Sequence, residues 1–199
     1  MGLLYADGCN YEKKGIISIS LKEEDSYLLN LFLKELDSDY ILYTKLPKSE
    51  KHSVQKVVSF VSRKMSNVLK GYGMVGNKSL TLLFPNENVL SKKFYPDFLR
   101  GLFDGDGSCS VKKITDPKLS FVGSKNICDS FLQILQVDGL IPTKTKVCMR
   151  QRLNKNVHYE ISIGGTNMVR KTLIYLLNNS ELYMKRKYKI INKEVENEL

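Results

Sequence analysis

The spacing of apolar residues changes several times along the chain, and each change marks an element. Ile16-Ile17-Ser18-Ile19-Ser20-Leu21 alternates and is rich in β-branched side chains, which predicts a strand. From Tyr27 to Leu36 the apolar positions recur at helical intervals instead, behind the polar run Lys22-Glu23-Glu24-Asp25. Tyr40 to Lys45 and Val54 to Val61 read as two further strands, and Lys64 to Leu69 as a second helix. The same order then returns: a strand at Leu119 to Val122, a helix from Lys125 to Gln136, strands at Thr145 to Arg150 and His158 to Ile163, and a helix from Thr166 to Leu177. Gly71, Gly73 and Gly76 interrupt the pattern, so the chain divides into halves at 1–75 and 97–199, joined by a linker at 76–96. The tail from Tyr183 onward is strongly charged and is expected to be helical, loosely packed or turned toward a partner.

The repetition reaches down to a motif. Gly2-Leu3-Leu4-Tyr5-Ala6-Asp7-Gly8 and Leu99-Arg100-Gly101-Leu102-Phe103-Asp104-Gly105-Asp106-Gly107 are both apolar runs closed by Asp-Gly. Gly2 and Gly101, Asp7 and Asp106, and Gly8 and Gly107 each stand 99 residues apart. Each run belongs on a helix, with Gly8 and Gly107 expected to close it in a left-handed cap. After Gly8 a short polar turn leads to the first strand. Gly2 and Gly101 are small enough to let two helix backbones touch. If the helices pair, Asp7 and Asp106 emerge side by side at C-terminal ends, where the helix dipole is already negative. Two carboxylates there call for a cation, and Mg²⁺ favours such oxygen ligands together with water and phosphate. A single Asp-Gly turn is commonplace, but two copies with matching sequels are not. An EF-hand is excluded, because its turn glycine and bidentate glutamate would fall on Cys109 and Thr115.

Charge and cysteine content narrow the partners. Thirty-one Lys and Arg against 21 Asp and Glu give a net charge of +10 over 199 residues, a balance suited to a polyanion such as nucleic acid. Cys9, Cys109, Cys128 and Cys148 form no C-x-x-C pair, so a zinc module is not expected and the thiols are read as reduced. No apolar run approaches membrane-spanning length and no signal peptide opens the chain, so a secreted or membrane protein is not expected. The expected compartment is the cytoplasm or nucleoid, or an organelle if the gene is organellar.

Leu99 to Gly107 resembles the LAGLIDADG motif of homing endonucleases, differing at Arg100, Phe103 and Gly105. Gly2 to Gly8 resembles the same motif, with Tyr5 in place of the first acidic residue, and Gly76 to Leu80 resembles a segment between the halves of two-motif members. The resemblance implies an α+β fold of two pseudo-symmetric αββαββα halves, each carrying a four-stranded antiparallel DNA-binding sheet, in a monomer needing no protein partner. It implies cleavage of both strands of a long asymmetric double-stranded DNA site across the minor groove, by metal-dependent phosphodiester hydrolysis. Asp7 and Asp106, aided by the carbonyls of Ala6 and Gly105, would hold Mg²⁺, with Mn²⁺ substituting and Ca²⁺ supporting binding without cleavage. Lys56 and Lys146 are the expected basic catalytic residues. Lys13, Lys14, Lys45, Lys48, Lys112, Lys113, Lys144, Lys146, Arg150 and Arg152 are the expected DNA contacts. The alternative is a non-cleaving relative, an RNA maturase or a DNA-binding regulator.

Overall fold

In the computed structural model, which describes residues 1–47, 49–50, 53–76, 81–111, 116–151 and 157–191, each Asp-Gly motif ends a helix that runs directly into a strand. Helix α1 (Gly2–Asp7) passes into β1 (Gly8–Tyr11), followed by β2 (Ile16–Lys22), α2 (Tyr27–Glu35), β3 (Tyr43–Lys45), β4 (Gln55–Val61) and α3 (Arg63–Gly71). The second half repeats this with α4 (Tyr95–Asp106), β5 (Gly107–Val111), β6 (Pro117–Gly123), α5 (Lys125–Val137), β7 (Cys148–Arg150), β8 (His158–Gly164) and α6 (Thr166–Leu177). The fold is α+β, two αββαββα halves. Their antiparallel sheets have strand orders β1-β2-β4-β3 and β5-β6-β8-β7. No helix among the described residues is long and apolar enough to cross a membrane.

Strand alternation assigns each sheet a covered and an open face. Ile17, Ile19, Leu21, Val58 and Phe60 are buried in one cluster with Leu28, Leu29 and Leu33 of α2 and Leu69 of α3. Leu119, Phe121, Ile161 and Ile163 are buried with residues of α5 and α6, among them Phe131, Leu135, Val169 and Leu173. Among the intervening positions, the middle of each sheet carries small polar residues: Ser18 opposite Ser59 in one, Ser120 opposite Ser162 in the other. Burying a Leu, Ile or Phe is worth about 1.5–3 kcal/mol. A one-residue slip would move every one of these side chains to the open face, so the register is firmly set.

Several segments differ from expectation. The stretch after Gly8 is a strand, not a polar turn, pairing Gly8 with Ile19 and Tyr11 with Ile16. Gly8 and Gly107 are not left-handed: their φ values are −79° and −89°, in extended backbone. Glycine is required there because a Cβ would strike the preceding helical turn, at Leu4 beside Gly8 and at the Phe103 carbonyl and ring beside Gly107. The stretch after Tyr183 is not loose. Met184 and Tyr188 are buried, flanking a 3-10 turn at Lys185–Lys187, and residues 189–191 are helical as expected. Apolar residues spaced through the basic run give this segment a buried side that its charge conceals. All four cysteines are free thiols.

Candidate active site and nucleic-acid interface

The two motif helices pack so closely that their glycines are obligatory. A Cβ on Gly2 would run into the Phe98 carbonyl, and one on Gly101 would meet the backbone of Gly2 and Leu3. Further along, a Cβ on Gly105 would collide with the Ala6 methyl and stand 2.9 Å from Asp7 Oδ2. The Asp7 carboxylate therefore lies over the last turn of α4, one residue before Asp106. Asp7 is half-buried and Asp106 exposed, so the pair opens to solvent.

A third charged group completes the cluster. Lys187 is buried, and its Nζ donates to the carbonyls of Phe103, Asp104 and Gly105 at 3.0, 2.5 and 3.0 Å. The Phe103 carbonyl also accepts from the Gly107 N–H, whereas Asp104 and Gly105 present carbonyls of the open last turn, where a cation also complements the dipole. Burial lowers the Lys187 pKa to about 8, with Arg186 adding to the fall, while Asp104, Asp7 and Asp106 hold it up. Asp104 lies in the same wall. Burial raises its pKa to about 7, against the Met184 N–H that donates to it and the nearby charges of Lys187 and Arg100. The donor set suits a hard divalent cation: two carboxylates at convergent helix ends, with Ala6 and Gly105 in contact range of each other. Among the described residues no cluster of three or more His, Cys, Asp or Glu is present. A metal here would have to complete its shell with carbonyls, water and substrate phosphate. The Gly105 carbonyl already accepts from Lys187, which leaves one lone pair for that purpose.

The other expected site residues are dispersed. Lys56 lies opposite Leu21, on the helix-covered face of its sheet, where it donates to Thr44 Oγ1 at 2.7 Å and pairs with Glu23 at 3.3 Å. It is not brought to Asp7. Lys146 is exposed in the approach to β7, three strands from β5, or roughly 14 Å of sheet at the usual strand spacing. Lys13 and Lys14 are exposed in the turn between β1 and β2, Lys45 at the end of β3, Lys144 before β7 and Arg150 at the end of β7. Arg150 is directly opposite His158, on the open face. Lys48, Lys112, Lys113 and Arg152 lie outside the described residues. Lys187 is the residue that pattern reading missed. The available signal was the regular apolar punctuation of the basic run by Met184, Tyr188 and Ile191.

No protein-family model matches the sequence, and no curated protein matches it. Solved structures do. The homing endonuclease I-WcaI bound to its DNA recognition sequence aligns with a TM-score of 0.57 at 15% identity, over 94% of this chain and 81% of that one. The I-LtrWI LAGLIDADG homing endonuclease bound to target DNA aligns at 0.52 and 16%, over 97% and 85%. This is the LAGLIDADG homing-endonuclease fold. The N-terminal LAGLIDADG domain of DUF199/WhiA also matches, with a TM-score of 0.51, 16% identity and coverage of 96% and 82%. At these identities the likeness is one of architecture. Within that LAGLIDADG architecture the doubled motif occupies the α1–α4 seam, the two sheets flank it, and the site's chemistry has to be argued from this chain's own residues.

Proposed function

We propose that the protein is a metal-dependent DNA endonuclease that cuts both strands of a long, asymmetric double-stranded site across the minor groove. The observation that carries this reading is the convergence of Asp7, Asp106 and Lys187 at the ends of two helices in direct backbone contact. Two carboxylates held at negative helix ends are unfavourable without a cation, and a protein that only bound DNA would place them beside phosphates at a loss. Net charge +10 and sheets with one open face supply the surface for a polyanion. The DNA-bound state of I-WcaI and I-LtrWI supports the same partner.

Asp7 and Asp106, with the Ala6 and Gly105 carbonyls, would hold Mg²⁺ against the scissile phosphates. When bound, such an ion lowers the pKa of a water and stabilises the leaving 3′-oxygen. The chain's own contribution is positional. The Gly2–Gly101 contact sets the separation of the two carboxylates, and Lys187 holds the end of α4 in place while facing both of them. Exposed Lys13, Lys14, Lys45, Lys144 and Lys146 would neutralise phosphates, and open-face side chains would reach base edges in the major groove. The halves differ in sequence, so the functional unit is a monomer with an internal pseudo-twofold, and its site is not a palindrome.

The test is selection from a randomised duplex library with Mg²⁺, followed by Asp7→Asn and Asp106→Asn. Each variant should lose double-strand cleavage while keeping specific binding in Ca²⁺, since each loses a metal ligand and no base contact. Near-parental cutting of both strands by either variant would refute the assignment. If the parent binds DNA but cuts no library member, a non-cleaving DNA-binding or RNA-folding role takes its place.

A further inference from the structure

The registers of the two sheets allow their open faces to be compared position by position. Gly8 and Gly107 pair with Ile19 and Phe121, which pair in turn with Val58 and Ile161. Counting outward from these equivalent pairs, Tyr43, Lys45, Gln55 and Val57 of the first sheet correspond to Cys148, Arg150, His158 and Glu160 of the second. Most open-face positions near the middle of both sheets are serines. The β3–β4 and β7–β8 pairs differ in chemistry: the second sheet holds an arginine and a glutamate where the first holds a lysine and a valine.

Arg150 and Glu160 are joined. Arg150 Nε donates to Glu160 Oε2 at 3.1 Å, diagonally across the β7–β8 ladder. Glu160 lies opposite Val122 and two residues before Ser162, on the open face, while its neighbour Ile161 is fully buried below. The arginine side chain is 58% exposed and the glutamate 26%. The acid thus sits low against the sheet and the guanidinium projects above it. The bond uses one of five guanidinium N–H donors, and it fixes a side chain that would otherwise sample many rotamers.

From this we infer that Arg150, oriented by Glu160, is a specificity-determining residue that reads a G·C base pair in the half-site bound by the second sheet. The inference rests on the proposal that the open faces lie in the DNA major groove. There guanine offers two acceptors, N7 and O6, whose spacing matches two guanidinium N–H groups, and cytosine offers an N4 amino donor that a carboxylate accepts. Adenine places its N6 amino group where O6 would be, opposing donor to donor. The mirrored pair in the first sheet has no equivalent demand. Lys45 is a flexible point charge, and Val57 carries no acceptor to orient it.

The experiment is binding-based selection of full-length protein on a randomised duplex library in Ca²⁺. Parent and variants are compared position by position, and matching melting temperatures show that each variant is folded. The parent should enrich one G·C pair by roughly 10- to 100-fold over other pairs at that position. Arg150→Gln should move the preference there to A·T, because glutamine matches adenine N6 and N7. Glu160→Gln should weaken the guanine preference at that position alone. Lys45→Gln should alter the opposite half-site only. A site enriched by the parent and unchanged at every position in Arg150→Gln and Glu160→Gln overturns this inference and leaves the nuclease reading intact. A parent that enriches no sequence overturns both.

Discussion

Replacing Gly101 by alanine adds one methyl group where the backbones of α1 and α4 touch. The new Cβ would stand 2.8 Å from the Gly2 carbonyl carbon and 2.9 Å from Gly2 Cα, and would meet the Leu3 amide nitrogen closer still. These are backbone atoms on a neighbouring helix, so no side chain can rotate aside. The helices must part by roughly half an ångström or more, and such overpacking costs about 1–3 kcal/mol, occasionally more. Alanine returns about 1 kcal/mol in helix propensity, leaving an expected net loss of up to about 2 kcal/mol, with the upper end applying because backbone atoms cannot rotate aside. The same displacement carries Asp7 away from Asp106, and misplacement of catalytic groups by about 1 Å lowers rates on the order of 100-fold. Gly71, the last residue of α3, is the control: a Cβ there meets nothing within 4 Å. Gly71→Ala should be neutral or stabilising by up to about 1 kcal/mol, with cleavage unchanged. Urea unfolding followed by far-UV circular dichroism, together with nicking rates on the selected site, measures both. If Gly101→Ala is as stable and as active as Gly71→Ala, the close packing of the motif helices is not what positions the aspartates.

Asp104 supplies a pH signature. Its folded pKa of about 7 exceeds the ordinary carboxyl value of 3.8, so the folded protein holds a proton that the unfolded chain has released. Stability from this group is therefore fully present below about pH 4 and is lost as pH rises to about 7. Asp104→Asn should remove that slope, its melting temperature gaining on the parent's between those limits; parallel melting curves across that range would refute the shift. Lys187→Gln should destabilise the protein by about 1–3 kcal/mol in urea titrations at neutral pH, because it leaves the carbonyls at the end of α4 short of a donor. An unchanged midpoint would show that Lys187 does not hold that helix end.

Legibility in the sequence followed the physical range of each interaction. The covered strands Ile16–Lys22 and Gln55–Val61 could be read because burial forces alternation, and α2, α5 and α6 because one face of each is apolar. Gly8–Tyr11 and Gly107–Val111 could not, since Gly, Ser, Cys and Asn carry little apolar signal and the pairing partner lies elsewhere in the chain. Edge strands Tyr43–Lys45 and Cys148–Arg150 are shorter than expected, being exposed throughout and so lacking a buried face to extend them. Asp7 and Asp106 stand out as candidates because the Asp-Gly motif occurs twice in one context. Lys187 reaches its helix end from more than 80 residues away, and a lysine in a basic run otherwise reads as a solvated one. Lys56 shows the converse failure: a suitable residue type on a suitable strand, but with parity that turns it to the covered face.

The segment around residues 182–188 has a consequence for how the chain is made. Met184 completes the buried cluster of the first half, and Arg186 clasps Asp25 there at 2.9 Å, while Tyr188 is buried in the cluster of the second. Tyr27 bonds to Tyr183 and Lys185 across more than 150 positions. During synthesis the first half therefore emerges with an opening in its core that is filled only after the whole of the second half has been translated. The two halves are alike in shape but share one closing segment. A gene split between them would yield a leading fragment that stays incomplete until the trailing fragment arrives to close it.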